Sequence, residues 1–426
     1  MFLNRSVQKG PVVSLATETA PSRTRLPLAV YVLALGTFCI GTSEFMLAGL
    51  LPQLSAGLDV SIARAGLLIT AFALGMTFGA PLMTLATLRL PRRATLLGAA
   101  LVFAAVHLLP LAFDGYAAIL VGRVVAAVAC ATYWAVGAVI AVRLAGPGQT
   151  ARALAAIVGG LTLANVLGVP LGTWIGEQLG WQAAFVAVAL ATLAVTVVLR
   201  VMVPAQEHAD ASTPMRVLVR REVAAFRDRR VWLALATTAT FQAAVFACFS
   251  YLAPLLTDVS GISASRVPLV LLLFGVGTFV GVTIGGRFAD RNLLLNVFVS
   301  LGEMVLALLA LVTLAGSPVG VVVATFLFGA TSFSIAAALN GRVFAFAGEA
   351  PTLAASVNVS AFNVGNAVGP WLGGLVIDAG LGLRAPIWVA IALGLTSLTV
   401  ATASWRVERG SGGRRTCPEA ASAACA

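Results

Sequence analysis

Residues 277–291 read GTFVGVTIGGRFADR and residues 75–89 read GMTFGAPLMTLATLR; laid over one another at an offset of 202, they share two glycines four residues apart and a closing arginine. A second pair, NVLGVPLG from Asn165 and NAVGPWLGG from Asn366, matches at an offset of 201. Two matches at nearly one offset argue for an internal duplication. Between the copies lies the long hydrophilic stretch 204–230, PAQEHADASTPMRVLVRREVAAFRDRR, which divides the chain in two.

Each half is built of apolar runs. Charged residues make up 10% of the chain and hydrophobic residues 60%, where a soluble domain carries about 25% charged residues. Runs near 20 residues, long enough to cross ~30 Å of hydrocarbon, recur at 27–51, 64–87, 94–113, 116–142, 153–176, 181–203, 231–256, 267–289, 293–315, 318–341, 352–378 and 384–404. Alternating ten-residue segments of the β-barrel kind are absent. The expected fold is therefore an all-α membrane protein with 12 transmembrane helices in two pseudo-symmetric six-helix halves. Its parts are a tail 1–26, a half 27–203, the loop 204–230, a half 231–404 and a tail 405–426.

On this span assignment 23 of the 27 basic residues fall in the two tails and every second loop. The positive-inside rule then makes both termini cytoplasmic, and the +11 net charge follows from topology and anionic lipid without a nucleic-acid partner. The first 26 residues lack an apolar core followed by a cleavage site, so span 1 is expected to be an uncleaved anchor. Five scattered cysteines have no metal spacing, and no disulfide framework is expected.

One carboxylate stands out. Glu44, in GTSEFMLAGLLPQL (41–54), interrupts a run that is otherwise apolar or small. A charge at the bilayer centre costs at least ~2.5–3.5 kcal/mol, so such a residue is a functional candidate. Arg123, in ILVGRVVAAVA, is its counterpart in span 4. Both lie roughly 10 Å below the outer surface at 1.5 Å per residue. Burial opposes ionisation of Glu44 while a neighbouring guanidinium favours it. A carboxylate that pairs in one state and takes a proton in another carries protons; a permanent structural ion pair is the alternative. Glu303 and His107 fall in spans 9 and 3, where structural roles or burial as neutral groups are expected.

Other residues mark a cavity or a packing face. Trp134 shares a helix face with Arg123 and Cys130. Asn165 in span 5, Gln242, Phe246 and Phe249 in span 7, and Asn363 and Asn366 in span 11 are either cavity groups or interhelical hydrogen-bonding partners. Gly168, Pro170 and Gly172 combine close approach with a missing helical donor, a kink. No Walker loop, metal cluster or Ser-His-Asp set is present in the sequence, so no cofactor and no enzymatic activity are expected.

Two parallel six-span halves joined by a cytoplasmic loop are the layout of a secondary transporter with its site between the halves. GGRFADR (285–291) resembles the loop signature of the major facilitator superfamily, glycine, three residues, then Asp-Arg. Arg123 and GVPLG (168–172) resemble elements of its twelve-span drug:proton antiporters. GTSEFMLAGLLP (41–52) and RLPRRATLLG (89–98) resemble the chloramphenicol-resistance exporters of high-GC Gram-positive bacteria, which the bias of 26 Arg to 1 Lys suits. The resemblance implies proton-coupled efflux of a small neutral drug by a monomer in the cell membrane, with protons and drug as partners. Export of a sugar, nucleoside or other metabolite is the alternative. It further implies proton-handling roles for Glu44 and Arg123, and a cytoplasmic gate at Arg89, Arg92, Arg93, Gly286, Arg287, Asp290 and Arg291. The first copy departs from the signature, with Leu88 where the acid belongs.

Overall fold

The computed structural model describes residues 26–87, 90–113, 115–146, 149–204, 228–347 and 351–412. Most of the 204–230 segment, both tails beyond these limits, and the Leu88–Arg89 pair lie outside the described residues.

Among the described residues the regular structure is helical, with no strand. The first half comprises α1 (Leu28–Gly57), α2 (Ile62–Ala86), α3 (Arg92–His107), α4 (Tyr116–Ala145), α5 and α6 (Trp181–Met202). Helix α5 is continuous through Thr150–Leu163, a π-helical turn Ala164–Gly168, and Val169–Leu179. The second half comprises α7 (Arg229–Phe249, prolonged by Leu252–Pro254 and a π turn Leu255–Val259), α8 (Val267–Ala289), α9 (Leu293–Leu314), α10 (Pro318–Ser334, then Ala336–Ala347), α11 (Pro351–Asp378) and α12 (Ala385–Gly412).

Eleven of these helices are long and apolar enough to cross a membrane, with mean hydropathies between 1.6 and 2.4. Helix α11 has 28 residues, but Asn358, Asn363 and Asn366 dilute its apolar character. The expected spans fall on the observed helices. The main difference is at α1, which continues past Pro52 to Gly57, so Glu44 stands further from its helix end than the apolar run suggests.

Local chemistry sets several ends. Ser61, Asn292 and Ser317 accept backbone N–H groups at the starts of α2, α9 and α10, relieving donors that a first turn leaves unpaired. Gly146 and Gly180, with φ of 78° and 88°, follow α4 and α5, in a region open to glycine without steric cost.

The same pairings recur in each half. Helices α1 and α5, α2 and α4, and α3 and α6 pack together, and so do α7 and α11, α8 and α10, and α9 and α12. This is the duplication of the sequence made physical. The halves meet where α2 packs on α11, with Thr70 donating to the Ala367 carbonyl and Ser360 to that of Thr77. They also meet where α8 packs on the π turn of α5 and on Val169–Leu179. The earlier segment Thr150–Leu163 instead packs on α1 and α4 and shows Leu154 and Val158 to open space.

Candidate functional site

Arg123 is among the most buried large side chains in the protein, 2% exposed. Its guanidinium lies over the Phe72 ring, 4.2 Å from the centroid. Nη1 donates to the Ser43 carbonyl at 3.2 Å and to Ser43 Oγ at 2.8 Å, and Nε donates to the Leu68 carbonyl at 3.4 Å. Nη2 has no partner. Glu44, one residue beyond Ser43, is 7% exposed, and its Oε2 is also buried without a partner. The two charges are neighbours but make no ion pair; the one ion pair among the described residues joins Arg342 to Glu408.

A third group completes the cluster. Ser43 Oγ lies 2.5 Å from Nε2 of His107, whose Nδ1 lies 2.7 Å from the Phe103 carbonyl. The imidazole, 1% exposed, is held between the rings of Phe103 and Phe185 at centroid distances of 4.1 and 5.6 Å. Neither Ser43 nor His107 stands out in the sequence as a partner of Arg123. The signal that points to them is a shared register: both lie near the level of Arg123 in their own helices.

Toward the arginine-rich end lies a cavity of about 400 Å³, bounded by α1, α2, α4, α5, α11 and the first residue of α3. Trp134 lines it beside Met76, Leu161 and Val359, with Thr84 and Arg92 near the mouth. No carboxylate is in the lining. Trp134 Nε1 is buried and has no hydrogen-bond partner. The site is therefore a largely apolar chamber with two unpaired donors in its wall, the Trp134 indole and Nη1 of Arg92, and its volume is within the ~300–1,000 Å³ usual for drug-sized ligands.

The sequence profile described as Major Facilitator Superfamily matches residues 33–358. The chain belongs to the major facilitator superfamily. Among its superfamily relatives is a chloramphenicol resistance protein of Streptomyces lividans, 39% identical over 383 residues, covering 88% of this chain and 96% of that one. The inner membrane transport protein YdhP of Escherichia coli (strain K12) is 37% identical over 369 residues, covering 86% and 94%. Among solved structures, a bacterial homologue of the human lysosomal transporter Spinster, in its inward-facing and occupied conformation, superposes with a TM-score of 0.69 at 16% identity. That match covers 89% of this chain and 96% of the other, and it shows the shared fold.

Within the superfamily fold, the remaining candidate residues divide. Gln242 donates to Asn366 at 2.8 Å, and Asn366 to Asn363 at 3.4 Å, joining α7 to α11. Phe246 and Phe249 are buried in an aromatic run from Phe45 to Phe274. Asn165 is buried in the π turn. These six lie outside the lining of the cavity; Trp134 is in it. Gly168 and Gly172 pack on Thr42 and Met46 of α1. The π turn ends two residues before Pro170, which cannot donate to the Val166 carbonyl.

The superfamily's loop signature is loosely placed here. Arg287, Asp290 and Arg291 are exposed and Gly286 has open space around it. None of the three charged residues is in an ion pair. Arg93 donates to the Arg200 carbonyl, Arg92 borders the cavity, and Arg89 lies outside the described residues. The ion pair of that end is instead between the buried Arg342 and the half-buried Glu408, with Ser404 beside it.

Proposed function

We propose that this transporter exports a small neutral drug, chloramphenicol or a relative, in exchange for protons. It works by alternating access in the cell membrane, as a monomer with both termini cytoplasmic. The observation that carries the reading is the chamber at Trp134: largely apolar walls, no carboxylate, and unpaired donors on Trp134 and Arg92. Such a site favours a neutral amphipathic molecule with a ring and an acceptor group. Cationic drugs would lack a counter-charge there, and sugars would leave most of their hydroxyls unpaired at ~1–3 kcal/mol each. The relationship to a protein named for chloramphenicol resistance supports the same choice.

Proton coupling falls to Glu44 and Arg123, a buried acid and base on two helices. The cavity at the arginine-rich end, with the loop charges of α8 apart from partners, fits a state open to the cytoplasm. The charges of Arg287, Asp290 and Arg291 would pair with neighbouring helix ends when that side shuts. Expression in an efflux-deficient host should raise resistance to chloramphenicol, and not to dyes or large cationic drugs. Unchanged chloramphenicol susceptibility, with the protein verified in the membrane, would refute the substrate assignment.

A further inference from the structure

Two buried polar atoms face an unfinished contact. Arg123 Nη2 is a donor without a partner and Glu44 Oε2 an acceptor without one. Leaving either unpaired costs about 1–3 kcal/mol, yet they stay apart because Ser43 takes the other arm of the guanidinium.

His107 decides how Ser43 does this. The Phe103 carbonyl can only accept, so Nδ1 carries the ring proton and Nε2 presents its lone pair. Ser43 must then donate its hydroxyl hydrogen to Nε2, which turns the oxygen's lone pairs toward Arg123. Without that acceptor a helical serine turns its hydroxyl to a carbonyl of its own helix, and the shorter of its two contacts with Arg123 is lost, leaving the one to the Ser43 carbonyl.

We propose that His107 is a positioning residue: acting through Ser43, it holds Arg123 off Glu44 in the cytoplasm-open state, and release of that hold lets the guanidinium reach the carboxylate. The inference rests on the proton-coupled reading above and adds a residue to it. The charged group facing the imidazole is Arg123 on α4, and Glu44 on α1 and the Cys130 thiol are neighbours of Arg123. Helix α6 brings the Phe185 ring, and α3 itself the Phe103 ring. A small recess lined by His107, Arg123, Pro110 and Ile119 opens beside the cluster, away from the Trp134 chamber.

The test follows chloramphenicol binding to the purified protein in nanodiscs as pH is lowered. In His107→Leu and in Ser43→Ala, Arg123 loses the hydroxyl contact and keeps the one to the Ser43 carbonyl. Its guanidinium can then pair with Glu44, so half-release of drug should need about tenfold more protons, the scale of a close guanidinium–carboxylate contact. Affinity at alkaline pH should be unchanged, the double variant should shift no further, and His107→Gln, whose amide oxygen accepts, should return the midpoint to wild type. A wild-type midpoint in folded Ser43→Ala overturns the proposal, and this variant decides alone if His107→Leu does not fold. The chain has two histidines, His107 and His208, so ¹⁵N-histidine NMR gives a second readout. Protonated Nδ1 and a hydrogen-bonded, unprotonated Nε2 are expected at His107, and protonated Nε2 overturns the proposal. That spectrum needs no drug, so it stands apart from the substrate assignment, which a wild type without chloramphenicol binding would contradict by itself.

Discussion

Trp134 is the residue where substrate chemistry is most exposed to test. Its Nε1 has no protein partner, so Trp134→Phe removes a donor while keeping an aromatic wall. A hydrogen bond of this kind contributes ~0.5–1.5 kcal/mol, so chloramphenicol should bind roughly threefold to tenfold more weakly. Expression and thermal stability should be unchanged; unaltered affinity would mean that the indole only packs. At this scale the sequence exposes what is out of place. Glu44 and Arg123 are conspicuous because apolar runs surround them. Ser43 is not, because a serine among small residues reads as packing, and His107, visible in its span, reads as structural because its contact with Ser43 joins positions 64 apart. Asn363, Asn366 and Gln242 were open between cavity and helix contact, and in this state their amides pair with one another across α7 and α11. Polar groups in a membrane protein look alike in sequence whether they face a cavity or another helix.

At the scale of elements, glycine spacing was readable and backbone register was not. Gly277, Gly281 and Gly285 of α8 face the Phe326, Ala330 and Ser334 carbonyls of α10, and a Cβ on any of them would collide with that backbone. Small residues allow such approach where lipid supplies no hydrophobic drive for helix association. Gly281→Ala should therefore destabilise the second half by about 1–3 kcal/mol, the range for overpacking, seen as a lower melting temperature. Asp290→Asn is the contrasting case. The side chain is exposed and outside any ion pair, so stability should change by less than ~0.5 kcal/mol. Transport should nevertheless fall, if its charge is needed when the cytoplasmic side shuts; full transport would assign the loop to topology alone. The proline of GVPLG foretold a break in α5, but not that it would take the form of a π turn at Ala164–Gly168. That form depends on α8, where Gly275 lies against the backbone of Asn165 and Val166, a contact 109 residues away from Val166 in the chain.

For the whole molecule, the duplication at offsets of 201 and 202 fixes two halves, and apolar length fixes twelve helices. The arrangement of one half on the other is not encoded in any local pattern, and neither is the side on which the chamber opens. Leu154 and Val158 show it: nothing in the apolar run 153–176 marks them out, yet both line the cavity. A cysteine at Val158 should accordingly be labelled by a membrane-impermeant reagent from the cytoplasmic side, and drug-free labelling only from outside would reverse the assigned topology.

The central claim is that Glu44 carries the proton that drives export. Moving one charge per neutral drug is worth about 2.3 kcal/mol per 100 mV, enough for a gradient of roughly fifty-fold at ~1.36 kcal/mol per decade. The direct measurement is chloramphenicol accumulation in proteoliposomes with an imposed pH gradient, comparing wild type with Glu44→Gln, alongside drug exchange without a gradient. The account predicts that Glu44→Gln loses uphill accumulation while retaining drug exchange. Accumulation by Glu44→Gln at the wild-type level would contradict it, making the carboxylate structural and sending the proton by another route.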